Sequence, residues 1–257
     1  MKHFIADTLH LLLRHIRATL RLPIWIAVSL VQPVIWLTLF GQLFGRVADL
    51  PGFGGGSYIA FLTPGVVAMT ALFGSAWSGI GIVEDINHGV MDRLLATPVH
   101  RGALIAARVL HAALTVAIQT VIVLALGIAL GSGLPGGALG FVAVLLPAVL
   151  IAAGFSALSN GVALLTRREE TLIAVINFFG MPLTFLSASF MSRDLMPGWM
   201  QVLSMGNPVN WAVVAAREAM LGRDWTSVWF NSALLAGFTL AACILATLAF
   251  RGYRRAG

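Results

Sequence analysis

Charge is scarce in this chain. Of its 257 residues only 10 % are Asp, Glu, Lys or Arg, while 59 % are hydrophobic. Soluble domains carry about 25 % charged residues, so a water-soluble fold would lack polar surface. Lipid is therefore expected to solvate much of the exterior. Lysine is rarer still, Lys2 being the one example. A Walker phosphate loop needs a lysine after its glycines, which excludes that kind of ATP site. The glycine run PGFGGGS at 51–57 is read instead as a flexible turn. Cysteine occurs once, as Cys243 in an apolar run, so no intrachain disulfide can form.

Acids and bases are missing from the middle of the apolar runs, where amides stand instead: Gln32, Gln119, Asn160 and Asn177. An ion pump or proton-coupled carrier needs ionisable groups at that depth; amides there bond helix to helix. There is no HExxH motif, and His88, His100 and His111 lack zinc-ligand spacing with carboxylates. The RREE at 167–170 resembles the paired glutamates of intramembrane prenyl-protein proteases, but Ala174 stands where those enzymes need arginine. The chain is thus expected to be no enzyme, with no catalytic, cofactor-binding or metal site. The net charge of +6 is spread over the ends of apolar runs, which suits membrane orientation and no nucleic-acid partner.

Long apolar runs are abundant. A membrane-crossing helix needs roughly 20 apolar residues, and six stretches qualify: 22–44, 59–83, 103–130, 138–165, 171–192 and 228–250. The expected fold is an all-α polytopic membrane protein of six spans, one permease domain over 1–257. With the N-terminus inside, the inner segments hold twelve of the sixteen basic residues, so both termini are expected in the cytoplasm.

Three further stretches break the pattern. Residues 1–21 place Ile5, Leu9, Leu12, Leu13, Ile16 and Leu20 on one helical face and His3, His10, Arg14, Arg17 and Arg21 on another, an amphipathic helix for the cytoplasmic interface. Residues 193–227 contain two apolar pieces, about 197–205 and 208–221, too short to span and read as outer re-entrant helices. Asn207 and Asn210 are read as caps of the second piece, and Trp199, Trp211, Trp225 and Trp229 suit the headgroup layer. Between the second and third runs stands a charged loop, 84–102. Asn87 is expected to cap a short helix from His88 whose face of Val90, Met91, Leu94 and Leu95 is flanked by Asp92 and Arg93 and ends before Pro98. Exposed apolar knobs beside charges make a docking element, with Met91 and Leu95 supplying area.

That loop, EDINHGVMDRLLATPVHRGALIAARVL, resembles the cytoplasmic loop of type 2 ABC exporter permeases, nearest the branch typified by daunorubicin and antibiotic-resistance exporters. FLSASFMSRDLMPGWMQVLSMGNPVNWAVVAARE is similar to the outer segment of the same family, and the resemblance covers the whole chain. It implies that His88 to Pro98 form a coupling helix seated in a separate ATP-binding subunit, where ATP and Mg would reside. It implies that residues 1–21 are a connecting helix, with Arg14 or Arg17 a mate for Glu84 as a polar latch. It implies two permease subunits, alike or different, in a bacterial inner membrane, with spans two and five lining the pathway. Asn177, Phe178, Phe179 and Phe185 are candidate pathway residues. The implied function is export of drug-like or lipid-like amphipathic molecules, as in multidrug efflux. A polysaccharide or lipid-linked glycan exporter is the alternative, and an ATP-independent channel or scaffold lies beyond it.

Overall fold

The structure is a computed structural model that describes residues 2–21, 23–45, 57–95 and 100–253. The glycine run at 51–56 and Pro98 lie outside the described residues. Among the described residues every regular element is helical. In chain order they are α1 (Lys2–Arg21), α2 (Pro23–Ile35), a π-helical turn (Trp36–Phe40), α3 (Gly41–Leu43), α4 (Tyr58–Ala76), a 3₁₀ turn (Trp77–Gly79), α5 (Ile80–Asn87), α6 (Val90–Leu95), α7 (Arg101–Ala129) and α8 (Gly137–Thr166). Then follow α9 (Glu169–Phe185), a 3₁₀ turn (Arg193–Leu195), α10 (Gly198–Met205), α11 (Pro208–Leu221) and α12 (Trp225–Tyr253).

Among the described residues, four helices are long and apolar enough to cross a membrane: Tyr58–Asn87, Gly102–Ala129, Gly137–Thr166 and Trp225–Phe250. The first and fifth expected spans form shorter pieces. Val28–Leu43 is apolar, but Pro33 and the π-helical turn interrupt its ladder. Proline removes a backbone donor and clashes with the preceding turn, and a wider π turn follows it here. Helix α9 has 17 residues and contains Pro182.

Helix α8 is the axis of the bundle, packed against α7, α4, α11 and α12. Its small residues permit this. Ala157 is fully buried, and a Cβ on Gly161 would stand 3.3 Å from Ala246 Cα on α12, as expected of a small-residue stripe between membrane helices. Polar ties reinforce the seams. Ser78 Oγ lies 2.8 Å from Ser156 Oγ, Gly79 N–H donates to Ser159 Oγ at 3.1 Å, and Thr239 Oγ1 donates to Leu150 O at 2.7 Å. Gly79 must be glycine at this seam, since its Cβ would fall 2.5 Å from Ser159 O.

Buried residues form two clusters at opposite ends of the bundle. One joins Tyr58, Leu62, Val66, Val144, Ile151, Val213 and Leu235; the other joins Leu11, Ile82, Met91, Leu104, Leu164, Leu172 and Phe250. The first includes α11, which is more deeply buried than an interfacial helix: Val209, Ala212, Val213, Ala215, Ala216 and Ala219 are all core. Asn207 caps it, accepting from Val209 N–H at 2.9 Å, while its amide donates to Leu183 O at 2.7 Å. Asn210 does not cap. It accepts from Ala188 N–H at 3.0 Å and ties α11 to the chain after α9.

Candidate functional site

The site is the end of the bundle where α1, the α5–α6 segment and the start of α7 meet. Helix α1 lies along α7, and its heptad places three kinds of residue on three sides. Thr8 and Leu11 are buried against the protein, with His15 and Thr19 partly so. Arg14 and Arg17 face outward, as does Arg21. Ile5, Leu9, Leu13 and Leu20 are 47–68 % exposed, an apolar stripe that this chain leaves uncovered.

Among the described residues, three polar ties hold α1 in place. Near its start, Asp7 Oδ2 accepts from His100 N–H at 3.0 Å, at the residue preceding α7, and the Phe4 and His100 rings meet edge to face at 6.1 Å. In the middle, Asp85 accepts from two arginines. Arg108 of α7 donates to Oδ2, and Arg14 of α1 donates to Oδ1 at 3.4 Å. Arg108 also donates to Gly81 O at 2.9 Å. Near its end, Thr19 Oγ1 stands 2.8 Å from His111 Nε2, and the His15 and His111 rings lie 5.7 Å apart. Burial, first of all, and then Arg108, His111 and Arg14 hold the His15 imidazole down to about 3, so it is neutral in the fold.

The ion pair between α1 and the end of α5 therefore runs through Asp85. Glu84 is exposed, and its backbone carbonyl accepts from His88 N–H at 3.0 Å and pairs with His88 Nδ1 at 2.9 Å. Adjacent positions on a helix point about 100° apart, so only one of the two acids faces α1 and α7. The signal for Asp85 was available: Arg108 stands seven residues inside α7, and an arginine entering a span needs an acid within reach.

The α5–α6 segment also departs from expectation. Helix α5 continues to Asn87, which is its last residue and caps nothing in front of it. The chain turns at His88 and Gly89, whose φ of 65° is the left-handed conformation glycine tolerates, and α6 begins at Val90. Met91 is 2 % exposed and belongs to the core beside Leu11, Leu104 and Phe250. It is not an exposed docking knob. The apolar face of a six-residue helix cannot stay in water unsupported, and α6 uses it to sit on its own protein. Val90 and Leu94 are half-buried and Arg93 is exposed. The side chains of Asp92 and Leu95 lie outside the described residues.

The candidate pathway residues do not converge. Asn177, Phe178, Phe179 and Phe185 are all on the exposed side of α9, with Phe178 73 % exposed. Asn177 returns its amide to Ile173 O at 3.0 Å. Phe179 alone of the four lines an apolar groove of about 290 Å³ shared with Phe73, Phe155 and Phe238. A residue that escaped the sequence reading is Arg217 on α11. It donates to Phe61 O at 3.2 Å and Ala188 O at 2.7 Å, with its guanidinium 3.9 Å from the Phe61 ring centre. It bolts α4, α11 and the chain after α9 together.

Among the described residues, four helices long and apolar enough to cross a membrane, packed across small-residue seams, mark a polytopic helical membrane protein. The chain belongs to the ABC-2 type transporter family, whose model matches residues 7–221. It is 30 % identical over 253 residues to the daunorubicin resistance ABC transporter permease protein DrrB1 of Streptomyces coeruleorubidus, covering 97 % of this chain and 87 % of that one. It is 31 % identical over 219 residues to ycf38 of Cyanophora paradoxa, covering 83 % and 73 %. It is 32 % identical over 210 residues to the inner membrane transport permease YadH of Escherichia coli, covering 77 % of each. The family is one of transmembrane transport subunits and implies an ATP-binding ABC partner.

Proposed function

We propose that this chain is the permease subunit of an ATP-driven exporter that moves drug-like or lipid-like amphipathic molecules out across a bacterial inner membrane. The observation that carries this reading is the rigid unit formed by α1, α6 and the inner end of α7. Met91 seats α6 in the core, and Asp85, just ahead of it, grips both Arg14 and Arg108. A push on the exposed side of α6, around Arg93, is delivered to α1 and to two spanning helices together. Such a unit can transmit a partner's closure to the bundle, provided the contacts differ between the two states. The daunorubicin resistance permease of Streptomyces supports a drug-like substrate, and the inner membrane permease of E. coli supports the inner membrane.

In this reading ATP and Mg are held by the separate ATP-binding subunit, and residues 1–257 form a single permease domain with both termini cytoplasmic. The uncovered Ile5–Leu9–Leu13–Leu20 stripe rests in the headgroup layer, as an interfacial helix requires. The interrupted Val28–Leu43 helix and α9 complete six spans, and α10 and α11 form an outer re-entrant pair. A second permease subunit covers the exposed phenylalanines of α9.

The test is co-purification of the chain, in mild detergent, with the products of its neighbouring reading frames. A stoichiometric Walker-motif ATPase is expected to co-elute, and Arg93→Glu should lower its recovery at least about tenfold, the loss typical of reversing a charge at an interface. Met91→Asp is unsuitable for this purpose because Met91 is core. Persistent absence of an ATPase would sink the exporter reading.

A further inference from the structure

The second half of α1 meets α7 across a groove of about 60 Å³, with Ile16 and Leu20 on one wall and Leu114 and Ile118 on the other. Leu20, Leu114 and Ile118 are 46–68 % exposed, so the groove opens to the outside of the bundle. The hydroxyls that line it are already engaged. Thr19 Oγ1 stands 2.8 Å from His111 Nε2, and Thr115 Oγ1 donates to His111 O at 2.9 Å. What occupies the groove therefore meets hydrocarbon, and a polar group placed there would lose its hydrogen bonds to water without replacing them.

Beside the groove stands positive charge. Arg17 and Arg21 are exposed. Among the described residues neither meets a carboxylate, whereas Arg14, about a turn earlier, is held by Asp85. Residues four apart on a helix are neighbours, about 5–6 Å between Cβ atoms, so both guanidinium groups can reach one phosphate. At 100° per residue Arg17 is turned only about 40–60° from Leu13 and Leu20, and the cationic row borders the exposed apolar stripe directly. The one acid of α1 is Asp7, near the opposite end, where it accepts from His100 N–H. The half of the helix along the groove thus offers two cations, hydrocarbon and no acid.

We infer that the groove between α1 and α7 binds one anionic phospholipid, its phosphate on Arg17 and Arg21 and an acyl chain along Ile16, Leu20, Leu114 and Ile118. The inference rests on the interfacial placement of α1 proposed above and deepens it by naming the ligand. Guanidinium groups match phosphate oxygens in charge and in geometry. A zwitterionic headgroup satisfies them less well, because its own ammonium competes for the phosphate. A soluble phosphate ester has the charge and lacks the chain. Asp85 ties α1 to α5 and α7, so a lipid held across α1 and α7 braces the same unit from its outer side.

The full chain is placed in phosphatidylcholine nanodiscs containing a trace of either phosphatidylglycerol or phosphatidylcholine with a diazirine in the acyl chain. After photolysis, crosslinked residues are located by mass spectrometry. The phosphatidylglycerol probe should mark residues 16–20 and 111–118 about tenfold more strongly than the phosphatidylcholine probe, a ratio within what two arginines beside an anionic headgroup supply. Arg17→Gln combined with Arg21→Gln should bring the ratio near one, and the corresponding double lysine variant should keep most of it. Excess free glycerol phosphate should leave the crosslinks in place. Equal marking by the two probes in the unaltered chain overturns the site, as does a preference that survives the glutamine variant. Loss of the crosslinks to glycerol phosphate overturns it in favour of a soluble anion. No mark on α1 from either lipid overturns the interfacial placement itself. Neither ATP nor a partner takes part, so the exporter reading is judged separately by recovery of the ATPase.

Discussion

Asp85 holds two arginines with one carboxylate, and the two are not equivalent. The Arg108 side chain is 11 % exposed and that of Arg14 is 46 % exposed. Removing the acid strands Arg108 in a nearly dry position, a loss that costs about 3–5 kcal/mol when one partner of a buried pair is deleted. Asp85→Ala should therefore lower the thermal unfolding midpoint in detergent, followed by tryptophan fluorescence. Adding Arg108→Leu to it should recover most of the loss, because no uncompensated charge remains. Arg14→Ala should cost under about 1 kcal/mol, as expected for a well-solvated partner. A loss from Arg14→Ala as large as that from Asp85→Ala would show that the pair is not organised around Arg108. At this scale the sequence was partly legible. The acids of the loop and the arginines of α1 were visible as candidates, but which of two neighbouring acids turns inward depends on the helix phase relative to α7.

At the scale of the element, α1 is the part most exposed to solution conditions. His15 is neutral in the docked helix, with its pKa near 3 against an ordinary 6.5. An imidazole that is harder to protonate in the docked state favours that state fully above pH 6.5. As pH falls from 6.5 toward 3, the undocked helix binds the proton first and docking weakens. Arg14, Arg108 and His111 surround it and oppose the added charge. Amide hydrogen exchange of residues 8–20, corrected for intrinsic rates, should accelerate across that window in the unaltered protein. In His15→Leu the part of the acceleration due to the imidazole should disappear. An unchanged pH profile in His15→Leu would remove His15 from this role. The amphipathic period of α1 was readable in its sequence, whereas its third face was not. Thr8, Leu11, His15 and Thr19 became a protein-facing side only because α7 lies alongside. Helix α6 teaches the same lesson more sharply, since Met91 read as exposed area and is core.

For the whole molecule, the crossing of α9 decides the topology. Arg17, Arg168, Arg193 and Arg223 are all exposed, so each can be replaced by cysteine in a Cys243→Ser background without disturbing the packing. If the interrupted Val28–Leu43 helix and α9 both cross, a membrane-impermeant maleimide should reach positions 17 and 168 from one side and positions 193 and 223 from the other. Labelling of 168 and 193 from the same side would establish that α9 does not span, leaving the four long helices as the membrane bundle.

Composition and hydropathy by themselves determined the class of this protein, an all-helical chain dissolved in lipid. They also determined the positions of its long helices and of the break at Gly206–Asn207, and the lack of a lysine-bearing nucleotide loop. These are properties of single segments, set by length, periodicity and residues that cap or stop a helix. Tertiary structure decided what depends on two segments meeting. It chose Asp85 over Glu84, folded Met91 inward and buried α11. A residue's side and partner are set by the helix packed against it, which one-dimensional spacing does not contain.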